Sequence, residues 1–184
     1  AIQELRVPPA SILEIGSANG WRLEVLRRVF GSAASGLEPS AQAVAEARQL
    51  YPKITVTQGT AESLPFADDS FDAVIFGFCL YLCDRRDLFR IAMEADRVLE
   101  DRGHLVIYDF ASEVPYCNTY SHCDGVFSYK MDYSRMFLWN PEYICIGHSA
   151  HGHGGGTGDS PDERVAVTVL RKDQEHAWPA NPWT

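Results

Sequence analysis

The sequence predicts an α/β protein built on a doubly wound, mostly parallel sheet of about seven strands with helices on both faces. Three observations predict it. Strand-like and amphipathic helical runs alternate five times between Ser11 and Tyr108. The strand-like runs are apolar throughout, the mark of parallel strands covered on both faces. Two more such runs near the C-terminus, separated by a long turn, add an antiparallel hairpin at the sheet edge.

The first strand is SILEI (11–15), closed by Gly16. GWRLEVLRRVF (20–30) reads as a helix, with Trp21, Val25 and Val29 on one face and charges opposite. A second strand over 33–37 ends at Glu38. Ser40 is a good N-cap for an alanine-rich helix over 41–50, which Pro52 ends. A third strand covers 54–58, and GTAESLPFADDS (59–70) is a loop. The fourth strand covers 71–76. An amphipathic helix over 86–99 turns Leu88, Ile91, Ala95 and Val98 inward, Gly103 follows its end, and the fifth strand covers 104–108. Residues 115–139 are rich in aromatics and have no clean period; they read as a binding wall or as a helix packed on the sheet. The closing strands are 142–148 and 164–171.

The 184 residues fit a single domain spanning 1–184. A net charge of -9 argues against a general nucleic-acid binder, which carries basic patches. No apolar run reaches the ~20 residues needed to cross a bilayer, and no basic-then-apolar leader precedes the first strand. The five cysteines are odd in number and lack metal-ligand spacing, so they read as free thiols of a reducing, cytoplasmic setting. HGHGGGTG (151–158) invites a metal reading, but two histidines in a flexible loop are a poor ligand set and no metal is expected.

In a doubly wound sheet the ligand crevice lies beyond the strands' C-terminal ends, where ILEIGSANGW (12–21) runs through a glycine turn into a helix. A dinucleotide fingerprint wants a glycine where Trp21 stands, and a nucleoside-triphosphate loop wants G-K-[S/T] after Gly20. Neither is met. What remains is acid-x-G-x-A-x-G, a turn able to bring backbone amides to a ligand without a diphosphate.

Four motifs in order, ILEIGSANG, GLEPS, GTAESLPFADDSFDAVIF and RVLEDRGHLVIYDF, resemble those of the class I S-adenosylmethionine-dependent methyltransferases. The resemblance covers about Ile12 to Phe110. It implies a Rossmann-like cofactor-binding core over about 11–110, with a substrate wall and hairpin over about 111–172. The implied cofactor is S-adenosyl-L-methionine, with S-adenosyl-L-homocysteine as product. Gly16, Ser17, Ala18 and Gly20 would then approach its methionine portion, with Ala18 replacing the family's usual glycine. Glu38 would accept both ribose hydroxyls, and Pro39 would lie against adenine. Thr60 stands where many relatives have an aspartate facing the adenine amine, which leaves recognition to its oxygen, to the Ala61 backbone and to apolar contacts. Glu14 would brace the turn or meet the amino group through water, and Glu62 would brace its loop. Phe78 would stand near the methionine end, or serve as core.

No catalytic base is assigned among Tyr81, Asp109 and His122. The Asn/Asp-Pro-Pro-aromatic signature of many amino methyltransferases is replaced by FGFCLYL. A small-molecule acceptor is therefore expected, bound by the aromatic segment with His122, Lys130 and Arg135. With few residues ahead of the first strand, a homodimer partner or that segment would close the site. Two other readings are a non-catalytic binding module of the same fold and a nicotinamide-dependent oxidoreductase.

Overall fold

The computed structural model describes residues 8–154 and 160–183. A seven-stranded sheet runs in the order β3-β2-β1-β4-β5-β9-β8. Its members are β1 (Ser11–Ile15), β2 (Ala33–Glu38), β3 (Thr55–Gln58), β4 (Phe71–Gly77), β5 (Leu99–Phe110), β8 (Tyr143–Gly152) and β9 (Arg164–Lys172). The five on the β3 side are parallel; β9 pairs antiparallel with β5 and β8 with β9. Strand order reverses between β1 and β4, which makes their C-terminal ends the switch point where a crevice opens. The parallel core of β5 is the stretch expected: His104 to Tyr108 pair in register with Ala73 to Gly77.

Helices α1 (Trp21–Phe30), α2 (Ala41–Leu50) and α3 (Leu88–Val98) supply the crossovers. The Ser40 hydroxyl caps α2 by accepting the Ala43 N–H at 3.3 Å. Ile91, Ala95 and Val98 of α3 are buried as their spacing dictates. The helix begins two residues later than expected, at Leu88, with Asp87 in the N-cap position and its side chain making no capping bond. Gly103 lies inside β5 rather than capping α3. A Cβ there would come within 2.6 Å of Leu99 Cδ1 and 2.8 Å of the Glu100 carbonyl oxygen.

The inward face of α1 differs from the one its pattern suggests. Leu23 and Leu26 are buried, whereas Trp21, Val25 and Val29 are 55%, 49% and 68% exposed. A buried Glu24 completes the inner face, and it is tolerated because Arg27 and Arg28 each reach its carboxylate at 2.6 Å.

The aromatic segment contains a second, two-stranded sheet, β6 (Tyr116–Thr119) with β7 (Phe127–Lys130), followed by the short helix α4 (Arg135–Leu138). Its latch is Asp162, whose Oδ1 accepts from Tyr116 Oη at 2.8 Å, Asn118 Nδ2 at 2.7 Å and Lys130 Nζ at 2.9 Å. At the far edge the buried Lys172 donates to the Asp96 and Leu99 carbonyls at 2.9 and 3.1 Å, tying β9 to the end of α3. A last short helix, α5 (Gln174–Ala177), is capped by Asp173. No helix among the described residues is long and apolar enough to cross a membrane.

Candidate functional site

At the switch point lies a cleft of about 630 Å³, within the ~300–1,000 Å³ range of small-molecule sites. One wall is the turn between β1 and α1. Gly16 and Gly20 adopt φ of 75° and 79°, and Ala18 takes the left-handed region too, at 48°. The first two need glycine on packing grounds as well. A Cβ on Gly16 would come within 2.5 Å of Cys79 Cβ, and one on Gly20 within 2.5 Å of Ile54 Cδ1. The amides of Gly16 and Ser17 both donate to the Leu37 carbonyl, at 2.9 and 3.2 Å, which pins the turn to β2.

Glu38 ends β2 inside this cleft. Its Oε2 accepts the Ala18 N–H and its Oε1 the Ser40 N–H, both at 3.0 Å. Each oxygen keeps a lone pair for a further donor, so the carboxylate is set in place to bind a vicinal diol.

Beneath the turn, Glu14 is fully buried. Arg22 Nε donates to its Oε1, while Arg22 Nη2 reaches the Gly77 carbonyl at 2.8 Å. Burial pushes the Glu14 carboxyl above its usual range, and the Arg22 guanidinium works against that shift. Three buried side-chain atoms lack any partner among the described residues: Glu14 Oε2, Ser17 Oγ and Asn19 Oδ1. All three belong to the end of β1 and its turn. A buried acceptor left unmade is costly, and of these three residues Ser17 alone lines the cleft.

The other walls come from the loops after β3 and β4. Thr60, Ala61 and Glu62 line one side, with Thr60 Oγ1 donating to Glu62 Oε1 at 2.7 Å. Gly77, Phe78 and Cys79 line the other. Phe78 takes a φ of 64°, a strained conformation for a bulky residue, and its ring stacks on His153 with centroids 5.1 Å apart.

Of the residues read from the sequence as ligand contacts, Gly16, Ser17, Ala18, Glu38, Pro39, Thr60, Ala61 and Phe78 all line the cleft. Gly20 lies outside the lining; it forms the left-handed N-cap of α1 and packs under Ile54. Ser17 lies low, against Gly36. Trp21, Arg22, Leu82, Cys83, Asp84 and Asp87 join the lining without having been named. Trp21 had a signal, as the first helical residue beyond the glycine turn. Arg22 had none, since its partner Gly77 is 55 residues away.

The three candidate bases stand off the cleft. Tyr81 is buried in an aromatic cluster with Phe78, Phe110 and Tyr120, and that burial raises its pKa. His122 lies edge-on to Tyr120 at the surface. Asp109 is 1% exposed, and burial pushes it up to about 7 against backbone amides that favour its charge. Among these are the N–H groups of Leu80 and Phe110, each donating at 2.8 Å.

The aromatic segment sits one layer behind the cleft. Lys130 is committed to Asp162, and Arg135 lies 3.4 Å from Asp132. Arg85 connects the segment to the cleft wall. Its guanidinium lies over Tyr129 at 4.5 Å, donates to Tyr133 Oη at 2.8 Å, and reaches the Leu80 and Cys83 carbonyls of the turn after β4. His151 stacks on Tyr108. The rest of the glycine-rich loop, 155–158, lies outside the described residues.

A family model described as a methyltransferase domain matches residues 13–107, just over half of the chain. The chain belongs to this family, the class I S-adenosylmethionine-dependent methyltransferases. The cofactor of such a methyltransferase domain is S-adenosyl-L-methionine.

Over 76 residues, 41% of this chain and 35% of the relative, the domain is 45% identical to the uncharacterized protein YafE of Escherichia coli (strain K12). Over 92 residues, 50% of this chain and 37% of the relative, it is 34% identical to a demethylmenaquinone methyltransferase of Chlorobaculum parvum. The chain thus spans little more than a third of the length of these curated relatives. The crystal structure of a S-adenosylmethionine-dependent methyltransferase from Methanosarcina mazei superposes with a TM-score of 0.74 at 17% identity, covering 95% of this chain and 97% of that one. At that identity the likeness speaks for the fold.

The cleft fits the cofactor. The amide-anchored Glu38 suits the ribose diol. The Ala61 N–H, free of any partner among the described residues, suits a ring nitrogen.

Proposed function

We propose that the protein transfers a methyl group from S-adenosyl-L-methionine to a small-molecule acceptor. The observation that carries this is Glu38, held by the amides of Ala18 and Ser40 at the mouth of a cleft of cofactor size. When bound, the cofactor supplies an electrophilic methyl on a sulfonium. This chain's own residues contribute binding and orientation. Gly16, Ser17 and Ala18 cradle the methionine end and Glu38 the ribose; Pro39 and Ala61 flank adenine. Phe78, at the end of β4, stands where it would shield the reacting end from water. Holding nucleophile, carbon and sulfur in line is worth several orders of magnitude without any acid or base.

The acceptor would enter on the side of Phe78, Tyr108 and Phe110, where aromatic rings converge with centroids 5.0–5.2 Å apart. That setting favours a flat, apolar acceptor over a sugar. A ring substrate also accords with the relative whose name specifies demethylmenaquinone. A reducing, cytoplasmic setting belongs to the same reading, supported by five free cysteines. A second copy over the cleft mouth remains part of it as well.

Calorimetric titration with S-adenosylmethionine, S-adenosylhomocysteine and NADH tests the reading. Micromolar binding of the first two, and none of the third, is the expected result. Binding of NADH alone would turn the assignment to hydride transfer, and binding of none would remove the cofactor.

A further inference from the structure

Two of the free thiols stand together in the cleft wall. Cys79 and Cys83 both line it, joined by the single 3₁₀ turn Leu80–Leu82 that follows β4. Cys83 Sγ lies 3.4 Å from the Cys79 carbonyl oxygen, and Cys79 Sγ lies 3.4 Å from the Ile15 carbonyl oxygen at the end of β1. The glycine turn rests on Cys79, since a Cβ on Gly16 would come within 2.9 Å of its sulfur. Cys83 is half-buried, and the Arg85 guanidinium reaches its carbonyl at 3.1 Å through Nε. The Cys79 thiol can turn its proton to the Cys83 sulfur. That hydrogen bond, aided by the Arg85 charge, holds the Cys83 thiol below the ordinary thiol range against the pull of burial. The same pairing raises Cys79, and burial adds to it.

We propose that Cys83 and Cys79 are a nucleophilic and a resolving thiol, which hydrogen peroxide closes into a reversible disulfide that rebuilds the cleft wall at the expense of cofactor binding. Only that last consequence rests on the cofactor reading above. The Cys83 thiolate attacks one peroxide oxygen, the O–O bond breaks, hydroxide leaves, and Cys83 becomes a sulfenic acid. The Cys79 sulfur then attacks the Cys83 sulfur, the S–O bond breaks, and the hydroxide departs as water with the Cys79 proton. Two thiols are oxidised by two electrons in all, and one peroxide is reduced to two waters. A thiol reductant reverses the bond by exchange. Joining the sulfurs draws Cys79 Sγ off the Ile15 carbonyl and shifts the wall beneath Gly16. Ligand and disulfide then weaken one another by the same factor.

The test treats the whole protein with hydrogen peroxide and reads it by peptide mass mapping. Calorimetric titration with S-adenosylhomocysteine follows before oxidation, after it and after dithiothreitol. The expected result is a loss of two hydrogens mapped to a Cys79–Cys83 bridge, with affinity weaker by ~5-fold or more, the lower end of such couplings. Dithiothreitol should restore both, and S-adenosylhomocysteine should slow the bridging. Cys79→Ser and Cys83→Ser should each abolish the bridge. Dimedone, which traps sulfenic acids, should label Cys83 in Cys79→Ser and leave Cys79 unlabelled in Cys83→Ser. The exposed Cys117, Cys123 and Cys145, replaced together by serine, should leave the bridge intact.

The proposal falls if peroxide bridges other cysteines, or if it drives Cys83 to a sulfinic acid with no bridge. It falls equally if the bridge forms and the affinity for S-adenosylhomocysteine does not change. If the reduced protein binds no S-adenosylhomocysteine, the cofactor reading falls and the loss of binding with it, while mass mapping still decides the bridge.

Discussion

At Glu38 a single carboxylate accepts two backbone amides from the protein and is left with one lone pair per oxygen for a further donor, the ribose in the reading proposed above. Glu38→Ala removes all four acceptors. Cofactor affinity should fall by roughly 1.5–3 kcal/mol, the scale of hydrogen bonds to a charged group. Titration of the folded variant checks this, and unchanged affinity would remove the ribose assignment. Ala18 shows why side-chain size alone does not describe the turn. Its methyl is small, but its φ of 48° is the left-handed region, where a non-glycine residue costs roughly 1–2 kcal/mol. The Glu38 carboxylate on the Ala18 amide helps to hold that conformation. Gly77 is constrained from both sides, since a Cβ there would lie 2.3 Å from Arg22 Nη2 and 2.8 Å from Glu14 Oε1.

Among the elements, the turn following β4 depends on Asp109, at the end of the neighbouring strand. Because burial raises this carboxyl to about 7, it holds its proton longer in the folded chain than in the unfolded one. Its contribution to stability is therefore fully present below about pH 4 and lost as pH rises through about 7. Asp109→Asn stays neutral throughout. Whatever the absolute cost of the substitution, its stability relative to the wild type should rise between about pH 4 and pH 7 in urea titrations. A pH-independent difference would mean that Asp109 ionises alike in both states. The same scale shows what the sequence made legible. β1, β4 and β9 are plain as mainly apolar runs, and α2 by its Ser40 cap and Pro52 stop. In helix α1 the stripe of Trp21, Val25 and Val29 is as regular as that of Leu23 and Leu26, so the pattern does not select the inner face. Only the ion pairs of Glu24 with Arg27 and Arg28 explain how a glutamate joins the inner face. The hairpin of β6 and β7 had no alternation to reveal it, since its strands are four residues long and depend on Asp162, more than 30 residues away. The cleft was legible wherever a backbone demand selected glycine or a strand end selected an acid. It was not legible where two loops meet in space, as at Arg22 and Gly77.

For the whole molecule, a ligand that binds only the folded state adds RT ln(1 + [L]/Kd) to stability. S-adenosylhomocysteine at a hundred times its Kd should therefore stabilise the protein by about 2.7 kcal/mol. In a chain of this size that is a rise of several degrees in Tm, and NADH should give none. Scanning calorimetry with each compound reads it directly, and an equal shift with NADH would contradict selectivity for the nucleoside that carries the amino-acid tail. Such coupling is expected because the cleft draws on loops of β1, β2, β3 and β4 together, so opening the sheet at its switch point dissolves the site.

The hairpin of β6 and β7 pairs with no strand of the main sheet and is held by a latch at Asp162 and a guanidinium at Arg85. The family match ends at residue 107, before this hairpin begins. The matched core and the hairpin are therefore written in separate stretches of the gene. Tyr133, just past the hairpin, is buried in the main core and bonded to Arg85, so an exchange that leaves that core intact stops before it. The hairpin touches the proposed acceptor side through Lys130, 4.1 Å over the Phe110 ring, so under that proposal a change in the hairpin would be felt at second hand.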